Sequence, residues 1–104
     1  MSAIKINESN FDKIVSEEKA VLIDFYADWC GPCKMMLSVI DELASEGLDA
    51  VIGKANVEEN PALAKKFGVY SIPTLVVMKD GKEVARSVGV TAKAALRKML
   101  AEGA

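Results

Sequence analysis

Apolar and polar positions alternate over Ala3-Ile-Lys-Ile6, which predicts a short edge strand. Asn7 stands where a helix cap belongs, with Phe11, Ile14 and Val15 at helical spacing through about Ser16. Val21-Leu-Ile-Asp-Phe-Tyr26 is nearly all apolar, the pattern of a strand covered on both faces, and Asp24 interrupts it. A helix is predicted from about Cys33 to Glu46. Its apolar positions Met35, Met36, Leu37, Val39, Ile40, Leu43 and Ala44 cover more than one face, so it should pack on the sheet and partly on other elements. Gly47 suits its stop. Ala50–Asn56 is the next strand, interrupted by Lys54. Asn60-Pro61 opens a short helix, the proline at the first helical position where its missing N–H costs nothing. Ala62, Leu63 and Phe67 should face inward there, and Gly68 ends the segment. Thr74–Lys79 reads as a second buried strand. Asp80-Gly81 signals a tight hairpin into Lys82–Ser87, which makes those two strands antiparallel neighbours. Thr91 caps a last helix with Ala92, Ala95, Leu96, Met99 and Leu100 on one face.

The order β-α-β-α-β-α-β-β-α predicts an α/β fold, a central mixed sheet with helices on both faces. In such folds a site lies at the carboxyl end of a central strand. The strand holding Asp24 delivers the chain there, to Trp29-Cys30-Gly31-Pro32-Cys33-Lys34.

Composition narrows the chemistry. The 104 residues suit one domain, 1–104, and 51% hydrophobic with 27% charged residues suits an ordinary soluble globular protein. Net charge is −2 with both signs scattered, so no basic stripe suits nucleic acid and no cluster suits an anionic membrane. The apolar runs are too short to span a bilayer, and no basic stretch followed by an apolar one marks an export signal at the amino end. There is no histidine, which removes a Cys-His nucleophile, a His-ligated metal and an imidazole acid–base group. The two cysteines fall short of the about four ligands of a structural zinc site, so neither metal nor cofactor is expected. They also close too short a loop to restrain the unfolded chain much. What remains is a dithiol that cycles between reduced and oxidised forms.

At a helix start the two sulfurs differ. Cys30 meets unpaired backbone N–H groups and the positive end of the helix dipole, which lower a thiol's pKa. Cys33 falls on the same side one turn deeper. That geometry makes Cys30 the attacking thiolate and Cys33 the thiol that resolves the mixed disulfide. Gly31 lets another chain approach, and Pro32 sets the helix entry without needing an N–H partner. Gly-Pro at a strand-to-helix junction argues against a pair of inert core cysteines.

Further positions carry alternatives. Asp24 is either on a solvated face or buried with a raised pKa, in which case it serves as the acid–base group for Cys33, through water. Lys54 is either a solvated lysine near a strand end or a partner of Asp24 across adjacent strands. Pro73 is either an ordinary trans turn residue or a cis proline that leaves the Ile72 backbone free to pair with an extended substrate. Trp29 belongs to the core or, as its neighbour Cys30 favours, to a contact surface. Gly89 simply ends a strand, or with Val88 and Val90 forms an apolar docking rim.

Trp29-Cys-Gly-Pro-Cys-Lys34, Asp24-Phe25, Ile72-Pro73-Thr74, Asp80-Gly81 and Gly89 stand in an order and spacing that resembles the thioredoxin family from about Phe11 to the end. The resemblance implies a thioredoxin fold, with a five-stranded mixed sheet flanked by four helices. It implies reduction of protein disulfides in clients such as reductases and peroxidases, recharging by a thioredoxin reductase, a cytoplasmic setting and a monomer. It assigns nucleophile to Cys30, resolving thiol to Cys33, buried acid to Asp24, that acid's charged partner to Lys54 and the cis-proline to Pro73. Trp29, Gly31, Ile72 and the Gly89 region match its substrate-contact surface. Tyr26 stands where many members carry a second tryptophan, and Ser38 where many have a helix-kinking proline. The more oxidising relatives usually carry a histidine before the second cysteine. Its absence here favours a reductase over an oxidant or isomerase, and the retained cysteines and acid disfavour a binding module without redox turnover.

Overall fold

The computed structural model describes residues 3–17 and 19–102. The domain expected over 1–104 also includes Met1, Ser2, Glu18, Gly103 and Ala104, which lie outside the described residues. In chain order the elements are β1 (Ile4–Lys5), α1 (Phe11–Val15), β2 (Ala20–Tyr26), α2 (Gly31–Ala44), β3 (Ala50–Asn56), α3 (Pro61–Lys66), β4 (Thr74–Lys79), β5 (Lys82–Val88) and α4 (Lys93–Glu102). The strands form one sheet in the order β1-β3-β2-β4-β5. β1, β3 and β2 run parallel, whereas β2–β4 and β4–β5 are antiparallel. This is the mixed five-stranded sheet with four helices that the pattern and the resemblance predict.

The continuous apolar run of β2 is explained by its central place. Val21, Ile23 and Phe25 pack toward Phe11 of α1, Leu63 of α3 and Phe67. Leu22 points the other way, into a core with Met36, Ile40 and Leu43 of α2 and Leu96 and Leu100 of α4. Each large apolar side chain buried here contributes about 1.5–3 kcal/mol. Phe67 ties one core together, its ring centroid 5.6 Å from that of Phe11 and 5.4 Å from that of Phe25. β3 is threaded between β1 and β2, and Gly53 makes room for this. A Cβ at that position would lie 2.7 Å from Ile6 Cγ1 and 3.2 Å from the Ile4 carbonyl oxygen.

Several local expectations are corrected. α2 begins at Gly31, not Cys33, because Cys30 itself is the cap and Pro32 already lies in the first turn. Met35 faces solvent with 59% exposure, so the buried stripe of α2 is Cys33, Met36, Ile40 and Leu43. Asn7 does not cap α1. Its side-chain oxygen accepts the N–H groups of Ser9 and Asn10, each at 2.9 Å, and closes a turn ahead of the helix. Ala62, Ala92 and Ala95 are exposed, since α3 buries Leu63 and α4 buries Leu96 and Leu100. The Thr91 hydroxyl is engaged with the end of β5, 2.6 Å from the Ser87 hydroxyl and 3.0 Å from the Gly89 carbonyl.

Candidate active site

The sheet brings the two cysteines to the carboxyl end of β2. Val57 N–H donates to the Tyr26 carbonyl at 2.9 Å and Cys30 N–H to the Ala27 carbonyl at 3.2 Å, which anchors the turn between β2 and α2. Cys30 has the extended backbone of an N-cap, with φ −91° and ψ 111°, and its sulfur accepts the Cys33 N–H at 3.2 Å. A sulfur is thus placed on one of the backbone donors that a helix start leaves unpaired. The pair is joined in a disulfide with Cα atoms 5.2 Å apart. Both sulfur-bearing residues are buried, Cys33 completely, in a cluster with Tyr26 and Ala27 against which Leu37, Val57 and Ile72 pack.

A second loop closes over this turn. The Ile72–Pro73 bond is cis, and Cys30 Sγ lies 3.9 Å from the Ile72 carbonyl oxygen. The Pro73 carbonyl accepts the Gly89 N–H at 2.8 Å, and Gly89 holds φ +93°, a conformation suited to glycine. Cys30, Cys33, Ile72, Pro73 and Gly89 are therefore linked through these two loops. Exposed apolar residues lie around them: Trp29 is 70% exposed, Val88 60% and Val90 56%, and Gly31 and Pro32 are exposed as well, with the charged Asp28 and Lys34 beside them. Trp29 is a surface residue, not a core one.

Asp24 sits two positions before Tyr26 on the same face of β2, the face that α2 covers. It is wholly buried, opposite Lys54 on β3 and Leu75 on β4. Neither carboxyl oxygen has a hydrogen-bond partner among the described residues. Burial drives its pKa from 3.8 up to about 7, and the Lys54 charge restrains that rise. Lys54 is half-buried and lines a small cavity of about 60 Å³ together with Tyr26, Asn56 and Glu59. Burial also raises the Tyr26 phenol, with Asp28 and Glu59 adding to the shift.

Two features beside the site escape sequence reasoning. Tyr70, two residues ahead of Ile72, is 96% exposed, and an aromatic residue so near the Ile72-Pro73 motif was an available signal. The sulfur of Met36, one turn below Cys33, accepts the backbone N–H of Thr91 at 3.3 Å. Those residues are far apart in sequence and no pattern announces their pairing.

A Cys-x-x-Cys disulfide at the amino end of a helix, behind the central strand of such a sheet, defines a thiol–disulfide oxidoreductase. The family profile "Thioredoxin" matches residues 2–102. Thioredoxin of Chlamydia caviae is 45% identical over 95 residues, covering 91% of this chain and 92% of the relative. Thioredoxin of Mycobacterium tuberculosis is 45% identical over 103 residues, covering 97% and 89%. Among solved structures, a mutant thioredoxin from Halobacterium salinarum superposes with a TM-score of 0.90 at 40% identity, covering 98% of this chain and 90% of that one. A chain from a structural study of thiol resolution in yeast mitochondrial 1-Cys peroxiredoxin via glutathione/thioredoxin systems gives 0.85 at 34%, covering 97% and 95%. The chain belongs to the thioredoxin family, and its chemistry is dithiol–disulfide exchange.

Proposed function

We propose that the protein reduces protein disulfides, with Cys30 attacking and Cys33 resolving. The observation that carries this reading is the Cys30 sulfur at the helix N-cap, accepting the Cys33 N–H at 3.2 Å and lying against Ile72. In the reduced protein that N–H and the helix dipole favour a thiolate on Cys30. The thiolate forms a bond to one client sulfur while the client disulfide breaks, and the departing client sulfur takes a proton. Cys33 passes its proton to the Asp24 carboxylate through water, and its sulfur displaces the client from Cys30. Two electrons have then moved to the client, and Cys30–Cys33 is oxidised. Lys54 moderates the acidity of Asp24. Ile72 and Pro73 offer backbone to an extended client, and Trp29, Gly31, Pro32, Val88, Gly89 and Val90 form its docking surface.

A thioredoxin reductase returns the electrons in this scheme, and clients include disulfide-bearing reductases and peroxidases. The yeast peroxiredoxin study supports a peroxidase as one such client class. The reading carries with it a single domain, a monomer and a cytoplasmic setting. No described helix is long and apolar enough to cross a membrane.

Trapping tests the assignment. Reduced Cys33→Ser mixed with a disulfide-bonded protein such as insulin accumulates a mixed disulfide through Cys30, whereas Cys30→Ser accumulates none. A stable adduct with Cys30→Ser instead would reverse the two roles.

A further inference from the structure

Contacts beside the disulfide form a ring that reaches from one cysteine to the other. Cys33 and Met36 lie one turn apart on the buried stripe of α2. The Met36 thioether accepts the Thr91 N–H at 3.3 Å. Thr91 Oγ1 donates to the Gly89 carbonyl at 3.0 Å and meets the Ser87 hydroxyl at 2.6 Å. Gly89 N–H donates to the Pro73 carbonyl at 2.8 Å, and the neighbouring Ile72 carbonyl lies 3.9 Å from Cys30 Sγ. The apolar rim formed by Val88 and Val90 is thus tied at one side to the Ile72-Pro73 loop. At the other it is tied to the helix that carries the cysteines.

We infer that Met36 is a positioning residue, its sulfur holding the Val88–Val90 rim in place relative to the Cys30–Cys33 pair through Thr91. The side chain is completely buried and Thr91 only half-buried, so the helix is the fixed partner and the rim the held one. Leucine or isoleucine would fill the same core space but accept no hydrogen bond, so packing alone does not call for sulfur here. The bond is a weak one, and its loss should loosen the rim by a small factor without unfolding the helix. Small disulfides that need no rim should not sense the change, while protein disulfides should. The inference rests on the docking role proposed above for Val88 and Val90.

The test uses the full chain with insulin as the protein disulfide and 2-hydroxyethyl disulfide as the small one. Met36→Leu, a volume-conserving change, should raise KM for insulin about threefold with kcat and the small-disulfide rate little changed. Exchange of the Thr91 and Gly89 amide hydrogens should speed up by a similar factor. Thr91→Val keeps the N–H but removes both hydroxyl contacts. It should also raise the insulin KM, and the double variant should show less than the product of the two effects. Val90→Asp is the control for docking itself. If Val90→Asp raises the insulin KM while Met36→Leu and Thr91→Val do not, the positioning role is overturned and docking stands. If all three leave KM unchanged, the docking role beneath it falls. Equal losses against both disulfides in Met36→Leu would assign Met36 to helix packing alone and also overturn the inference.

Discussion

Replacing Asp24 by Asn should stabilise the protein at neutral pH and leave it unchanged in acid. The folded state holds the Asp24 proton up to about pH 7, whereas the ordinary carboxyl releases it near 3.8. Across that window the folded protein binds more protons than the unfolded chain, so the Asp24 contribution to stability falls as pH rises. It is complete below pH 3.8, declines through the window and is constant above about 7. At about 1.36 kcal/mol per pKa unit, the rise from 3.8 to about 7 amounts to about 4 kcal/mol. Asparagine has nearly the shape of the neutral acid and cannot ionise. Urea unfolding of the oxidised protein and of Asp24→Asn, followed at several pH values, reads the difference directly. The variant should match the parent at about pH 3.5, gain about 2 kcal/mol near pH 5.5 and about 4 kcal/mol at pH 8. A pH-independent difference, or a variant less stable at pH 8, would refute a carboxyl whose ionisation is opposed by burial.

The same substitution should slow the resolving step. With no carboxylate to accept the Cys33 proton, stopped-flow decay of the mixed disulfide at pH 8 should fall about 100-fold or more. Lys54→Gln removes the charge that restrains Asp24, so the carboxyl midpoint seen by carbon-13 NMR should move above that of the parent. An unmoved midpoint would remove Lys54 from the site. Gly53→Ala drives a Cβ into Ile6 and against β1, and should cost about 1–3 kcal/mol in urea unfolding, with the Ile6 amide losing exchange protection first. An alanine variant as stable as the parent would show that β1 moves aside freely.

Much of this was legible because the signals are local. An acid in an apolar strand, a Gly-Pro spacer and an Asp-Gly hairpin each announce themselves within a few residues. Periodicity places the start of α2 at the first apolar residue, whereas Gly31 and Pro32 carry no apolar signal although the helix already includes them. Alanine suits either face of a helix, so only the tertiary packing decides that Ala62, Ala92 and Ala95 are exposed. Thr91 has the chemistry of a cap, yet its hydroxyl finds Ser87 and Gly89 instead. The Asp24–Lys54 pairing required the register of β2 on β3, which the two interrupted strands suggest but do not determine. The pairing of Met36 with Thr91 leaves no signal in the sequence, since their contact exists only once α2 and the end of β5 are packed together.

The physics of Asp24 explains why a costly residue would be kept in the proposed exchange. A domain has about 5–15 kcal/mol of net stability, so about 4 kcal/mol is a large share. A solvated aspartate would avoid that cost, but with a pKa near 3.8 it would hardly ever hold a proton at pH 7. It could then take the Cys33 proton only by a steeply unfavourable step. Burial with no opposing charge would overshoot, leaving a carboxyl that stays protonated and has no vacancy to offer. Lys54, half-buried at the paired position on β3, pulls against the burial and brings the midpoint to about 7. The acid can then both accept and return a proton at neutral pH, which a dithiol that is oxidised and recharged in turn requires. Two interruptions in adjacent apolar strands are in this sense one device: the strand that holds Asp24 out of water creates the basicity, and the neighbouring strand limits it.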